Sequence, residues 1–150
     1  GVTIVSYMEA DHDRLDEFFA EFQKSKREDL TKAKGHFKKY HDGFRRHLLW
    51  EEEVLFPVFE AKAVMDSEGP TVGIREEHRL MEGILETIHR RLQAGDIHTG
   101  AEEAQLIEVM SQHKEKEVSI LYLMIVRLLT EQERKELFQK LARITEKVEN

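Results

Sequence analysis

The chain has 150 residues, enough for one domain with a sizeable core, and its 40% hydrophobic and 35% charged residues suit helices with one apolar stripe and broad solvated faces. A net charge of -7 argues against nucleic acid and anionic membranes as partners, since both select clustered Lys and Arg. The absence of cysteine excludes disulfides, thiolate metal sites, iron–sulfur clusters and cysteine nucleophiles.

Hydrophobic periodicity predicts four long helices and a shorter fifth. The first, near 5–25, steps through Met8, His12, Leu15, Phe19 and Phe22 at helical spacing, with Ser6 and Glu9 as a capping box. The second, near 31–64, carries Phe37, Tyr40, Phe44, His47, Glu51, Val54 and Val58, and Pro57 predicts a kink near its end. The stretch 66–70 and its glycine and proline separate it from a third helix near 72–94, whose stripe is Ile74, His78, Met81, Leu85, Ile88 and Leu92. Gly95-Asp96 ends that helix. A fourth, near 100–128, follows Thr99 and Glu102 with a stripe of Leu106, Met110, His113, Glu117, Ile120 and Met124. A fifth, near 131–147, starts at the capping box Thr130/Glu133, and Leu137, Leu141 and Ile144 are spaced to cap the bundle.

Short connections between long helices imply antiparallel neighbours, so the expected fold is all-α, an up-down-up-down four-helix bundle over about 5–128 plus the fifth helix, in one domain spanning 1–150. No apolar run is long enough to cross a bilayer: the longest, Ile120 to Val126, is seven residues. No signal peptide opens the chain, and the default expectation is a soluble cytoplasmic protein.

Four histidines carry an acid four residues later: His12/Asp16, His47/Glu51, His78/Glu82 and His113/Glu117. The last two pairs repeat the first two at an offset of 66. Positions i and i+4 share a helix face, so each pair presents an imidazole and a carboxylate in one direction. All four histidines, with Glu51 and Glu117, fall on the apolar stripes. A core does not accept unpaired carboxylates, and no Lys or Arg shares these seams, so a bound cation is the expected counter-charge. Imidazole and carboxylate donors without thiolate suit iron, manganese or zinc. Counting donors favours two metals, with two histidines each, Glu51 and Glu117 as bridges and a solvent-derived oxygen between them. Asp16 and Glu82 are expected either to fill a remaining position or to orient a histidine. The other two acids of the run 51–53, Glu52 and Glu53, are expected to face water, as are His36, His41 and His89. Trp50, Tyr7 and Tyr40 are expected to fill the core.

Asp11-His12, the segment from His47 through Glu51 to Pro57, Glu77-His78, and His113 to Glu117 followed by Ile120-Leu121-Tyr122 together resemble the hemerythrin-like (HHE cation-binding) domains. The resemblance implies a four-helix bundle holding two iron ions in an oxo- or hydroxo-bridged non-haem centre, with His12, His47, His78 and His113 as terminal ligands and Glu51 and Glu117 as bridges. Oxygen-carrying members place a second histidine one turn after the third-helix histidine, where this chain has Glu82. The pattern is closer to members with four histidines and two glutamates, among them iron–sulfur cluster repair proteins and iron or oxygen sensors. The repair proteins add a cysteine-bearing module, which the cysteine-free sequence lacks. The expected function is binding or sensing of oxygen, nitric oxide or peroxide, rather than dedicated catalysis. Iron storage, a partner-regulatory role and peroxide reduction or cluster repair are the alternatives, and no protein partner is indicated.

Overall fold

A computed structural model describes residues 2–63 and 69–149. It is all-helical among those residues, with α1 over Ile4–Ser25, α2 over 30–63, α3 over Pro70–Gln93, α4 over 100–128 and α5 over Glu131–Glu149. The expected helices are all present, with ends within two residues of the sequence estimates. The break expected over 66–70 lies mostly outside the described residues, but Pro70 opens α3 at its first position, where its missing N–H costs nothing.

The helix ends correct two of the three predicted caps. α1 starts earlier than expected, because Thr3 and Ser6, rather than Ser6 and Glu9, cap each other's backbone. At α4, Thr99 makes no side-chain cap; its hydroxyl donates instead to the buried Glu103 carboxylate at 2.6 Å. Thr130 and Glu133 do form the box, with reciprocal bonds of 3.0 and 3.2 Å. α3 closes with Gly95 at φ 82°, and Asp96 N–H and Gly95 N–H bond back to the Arg91 and Leu92 carbonyls. That is the left-handed closure glycine supplies most readily.

Two of the long helices are interrupted at repeat-equivalent places. In α2 a π stretch, Glu51–Leu55, separates Leu30–Trp50 from Phe56–Ala63; in α4 another, Glu117–Tyr122, separates Gly100–Lys116 from Leu123–Leu128. A π turn holds one residue more than an α turn and therefore shifts every later residue around the helix. This overturns part of the predicted stripes. Ile120 and Met124 are exposed while Leu121 and Ile125 are buried, and Phe59 rather than Val58 is buried in α2. Pro57 is not the sole cause, because the same interruption occurs in α4, where Leu123 stands at the corresponding position.

The core is divided into two apolar clusters. One gathers Leu15, Phe19, Phe22, Phe37, Phe44, Met81 and Leu106. The other gathers Met8, Val54, Phe56, Ile74, Leu121 and Tyr122, and it is closed by Leu137, Leu141 and Ile144 of α5. α5 lies along α2, where Trp50 Nε1 donates to Thr145 Oγ1 at 3.2 Å. In sequence His12 falls between Met8 and Leu15, and His78 between Ile74 and Met81. His47 and Glu51 fall between Phe44 and Val54, and His113 and Glu117 between Leu106 and Leu121. The histidines and glutamates thus form a polar layer between two dry ones.

Candidate metal centre

His12, His47, Glu51, His78, His113 and Glu117 are all buried, with at most 3% of any of them exposed. Their donor atoms fall into two compact groups, Glu51/His78/His113/Glu117 and His12/His47/Glu117, in each of which all donor atoms lie within 4.8 Å of one another. Glu117 belongs to both. Glu51 Oε1 also reaches across, lying 3.2 Å from His78 Nε2, 3.9 Å from His113 Nε2 and 3.7 Å from His47 Nε2. Glu117 Oε1 is 2.9 Å from His113 Nε2 and 3.9 Å from His12 Nε2.

Of the eight candidate ligands, the structure brings these six together and leaves Asp16 and Glu82 outside. Asp16 is 68% exposed and faces Lys114 at 3.9 Å; Glu82 is 49% exposed and pairs with Arg79 at 2.8 Å. The helices explain the difference. In α1 and α3 the buried stripe passes from histidine to the residue at i+3, Leu15 or Met81, whereas in α2 and α4 it passes to the acid at i+4, where the π stretch opens.

Groups that the sequence did not mark as partners of a histidine hold the histidines in place. Asp11 is 1% exposed, and its Oδ2 accepts from His47 Nδ1 at 2.7 Å. Its other oxygen meets Arg14, and Arg46 at 3.1 Å. Glu52, expected in water, instead accepts from His78 Nδ1 at 2.8 Å, with Arg79 beside it. A carboxylate only accepts, so both histidines carry a proton on Nδ1 and turn Nε2 toward the cluster. Tyr122 donates to Glu51 Oε2 at 2.6 Å, fixing the carboxylate and leaving Oε1 to face the histidines. The arrangement is asymmetric. Glu77, which stands where Asp11 does in the repeat, pairs with Lys116 at 3.2 Å, and His113 Nδ1 is buried without a partner. Replacing Asp11 by alanine should lower metal affinity about 10- to 100-fold, the usual cost of losing a histidine's orienting carboxylate, as measured by competition with a chelator.

The fit to a cation is tested by what the donors lack. His12 Nε2, His47 Nε2, Glu51 Oε1 and both Glu117 oxygens are buried with no hydrogen-bond partner. Buried polar atoms are almost always satisfied, so five orphans at one depth mark a place built around a missing positive charge. No thiolate is present, and the nitrogen and oxygen donors fit a borderline or hard divalent metal.

Electrostatics favour the deprotonated forms of His12, Glu51 and Asp11. Burial, reinforced by the neighbouring His47, pushes the His12 imidazole down to about 3. Burial raises the Glu51 carboxyl, but His47, His113 and His78 outweigh it and hold it below the usual carboxylate range; Asp11 is likewise held low by His47 and Arg14 against its own burial. Between about 6.5 and about 3 the unfolded chain binds a proton at His12 that the folded chain does not, so stability falls as pH falls through that window and is unaffected above it. Glu51 and Asp11 act in the same direction lower down, once the unfolded carboxyls begin to protonate. Thermal unfolding of the metal-free protein should therefore give a midpoint that drops steadily from pH 7 to pH 4, at up to about 1.4 kcal/mol per pH unit for each such group. A flat profile would contradict the buried neutral imidazole.

An all-helical bundle with a buried layer of four imidazoles and two carboxylates defines a metal-binding helical-bundle protein. A family model, the hemerythrin HHE cation binding domain, matches residues 3–125, and the chain belongs to that family. No curated protein and no solved structure matched it. No helix among the described residues is long and apolar enough to cross a membrane.

Proposed function

We propose that the protein holds two iron ions in a non-haem, carboxylate-bridged centre and binds or senses a small oxidant or diatomic molecule, of which oxygen, nitric oxide and peroxide are the candidates. The observation that carries the reading is the pair of donor groups sharing Glu117, with five buried donor atoms otherwise unsatisfied. His12, His47 and Glu117 would hold one ion and His78, His113, Glu51 and Glu117 the other. With Asp16 and Glu82 engaged by Lys114 and Arg79 at the surface, neither group reaches six protein ligands. An incomplete shell of imidazole and carboxylate is the setting in which iron exchanges electrons with a small exogenous ligand. The protein's part is to orient the donors through Asp11, Glu52 and Tyr122 and to keep bulk water out through the apolar clusters on either side.

Metal analysis of protein produced with iron should find about two ions per chain, as the count of donors suggests. Absorption spectra of the anaerobically reduced protein should then change on adding oxygen, nitric oxide or peroxide. Zinc alone, no metal, or a spectrum indifferent to all three ligands would overturn the reading.

A further inference from the structure

A cavity of about 340 Å³ lies beside His12, between α1 and α4, with the wall formed by Phe19, Leu106, Ile107 and Met110. Asp16 and Lys114, the weak surface pair, also line it. Tyr40 of α2 reaches the same cavity and is only 3% exposed. Its ring packs on Phe19 at 4.9 Å and Phe44 at 5.8 Å, which fixes its direction. None of the hydrogen bonds among the described residues involves its hydroxyl. The hydroxyl is not among the buried side-chain atoms left without a partner, so it opens into the cavity and is free to donate there. Burial, with the Asp16 carboxylate nearby, raises its pKa, so it remains a donor at physiological pH.

Size separates the candidate occupants. A diatomic molecule fills about the share of one or two waters, roughly 30 Å³ each, and would leave most of this cavity empty. The volume falls at the lower end of the range that holds small organic ligands, on the order of 300–1,000 Å³. The lining is mainly apolar; Tyr40 is its one buried hydroxyl, and His12, Gln23, Ser111 and the Asp16/Lys114 pair are its other polar members.

We propose that this cavity is a binding site for a small uncharged organic molecule with an apolar body and one hydrogen-bond acceptor, which Tyr40 fixes by donating to that acceptor beside His12. Such an occupant would lie against the ring that faces the metal cluster. The proposal makes Tyr40 a specificity-determining residue and defines a ligand class larger than a diatomic. Its functional meaning rests on the di-iron reading, but the binding itself does not.

Two probes isolate the claim: 4-fluoroacetophenone, with an apolar ring and one carbonyl acceptor, and fluorobenzene, with the ring alone. Each is titrated into the full chain as purified, with its retained metal measured, and binding is followed by fluorine NMR. Both should bind saturably. Tyr40→Phe should weaken 4-fluoroacetophenone about fivefold, the worth of one neutral hydrogen bond, and leave fluorobenzene unchanged. Met110→Trp should abolish binding of both by filling the cavity. Ala20→Phe, at an exposed position on the same lining, provides the same test should the tryptophan perturb folding. Absence of saturable binding, equal effects of Tyr40→Phe on the two probes, or undiminished binding in both filled variants would overturn the proposal. A parent protein that binds the probes but carries no iron would instead overturn only the di-iron reading.

Discussion

Glu117→Gln should have opposite effects on the metal-loaded and metal-free protein. Glu117 is the donor common to both groups, so iron content should fall from about two ions per chain to fewer than one. Without metal, both carboxylate oxygens are buried without a hydrogen bond, Oε1 having only the His113 ring at 2.9 Å, and the group opposes folding. The amide keeps the shape and can still meet His113 while removing the charge. The variant should therefore unfold at a higher temperature than the parent when both are held in chelator, by roughly 1–3 kcal/mol. Metal analysis and thermal unfolding with and without chelator check the two halves. Equal metal content, or a metal-free variant less stable than the parent, would contradict the shared bridging position.

The second large effect lies away from the cluster. Lys26, at the end of α1, donates to Glu103 in the first turn of α4 at 2.5 Å, and both are largely buried. Thr99 and Gln23 complete the Glu103 carboxylate at 2.6 and 3.1 Å. Lys26→Met should cost about 3–5 kcal/mol, because it leaves a buried carboxylate without its cation; at roughly 2–4 °C per kcal/mol, the midpoint should drop by about 6–20 °C. The double variant Lys26→Met/Glu103→Leu should recover most or all of that loss, since a well-packed apolar pair often matches a buried ion pair. Thermal unfolding of both in chelator, where metal makes no contribution, is the measurement. A double variant as unstable as the single one would show that the pair is worth more than its replacement.

How much of this was legible in the sequence depended on whether the signal was local. Helices and apolar stripes were, because each is a periodicity within one segment. So were the six clustered donors, which stand on those stripes as polar intrusions at a fixed offset. Asp16 and Glu82 had the same i+4 relation to a histidine, yet the stripes of α1 and α3 already ran through Leu15 and Met81, which turn those acids outward. Asp11 and Glu52 were not assigned as partners of a histidine, because each acts on a histidine from another helix. Lys26 and Glu103 are 77 residues apart, with nothing in either neighbourhood to announce the other. The outward Ile120 and Met124 were misplaced for a different reason: a heptad extended through Glu117 assumes an unbroken α turn, and hydrophobicity alone carries no mark of the turn's size.

Those wide turns act as a frame shift written into the helix. Upstream of each, the sequence is in phase with the metal layer; downstream, it is in phase with the apolar cluster that α5 closes. Deleting one residue from the stretch in α4 would mend the hydrogen-bond ladder and make the local helix more regular. The same edit would rotate Leu121, Tyr122 and Ile125 out of that cluster and take from Glu51 its tyrosine donor. A designer who idealises this backbone would therefore improve the helix and disconnect the two layers it joins.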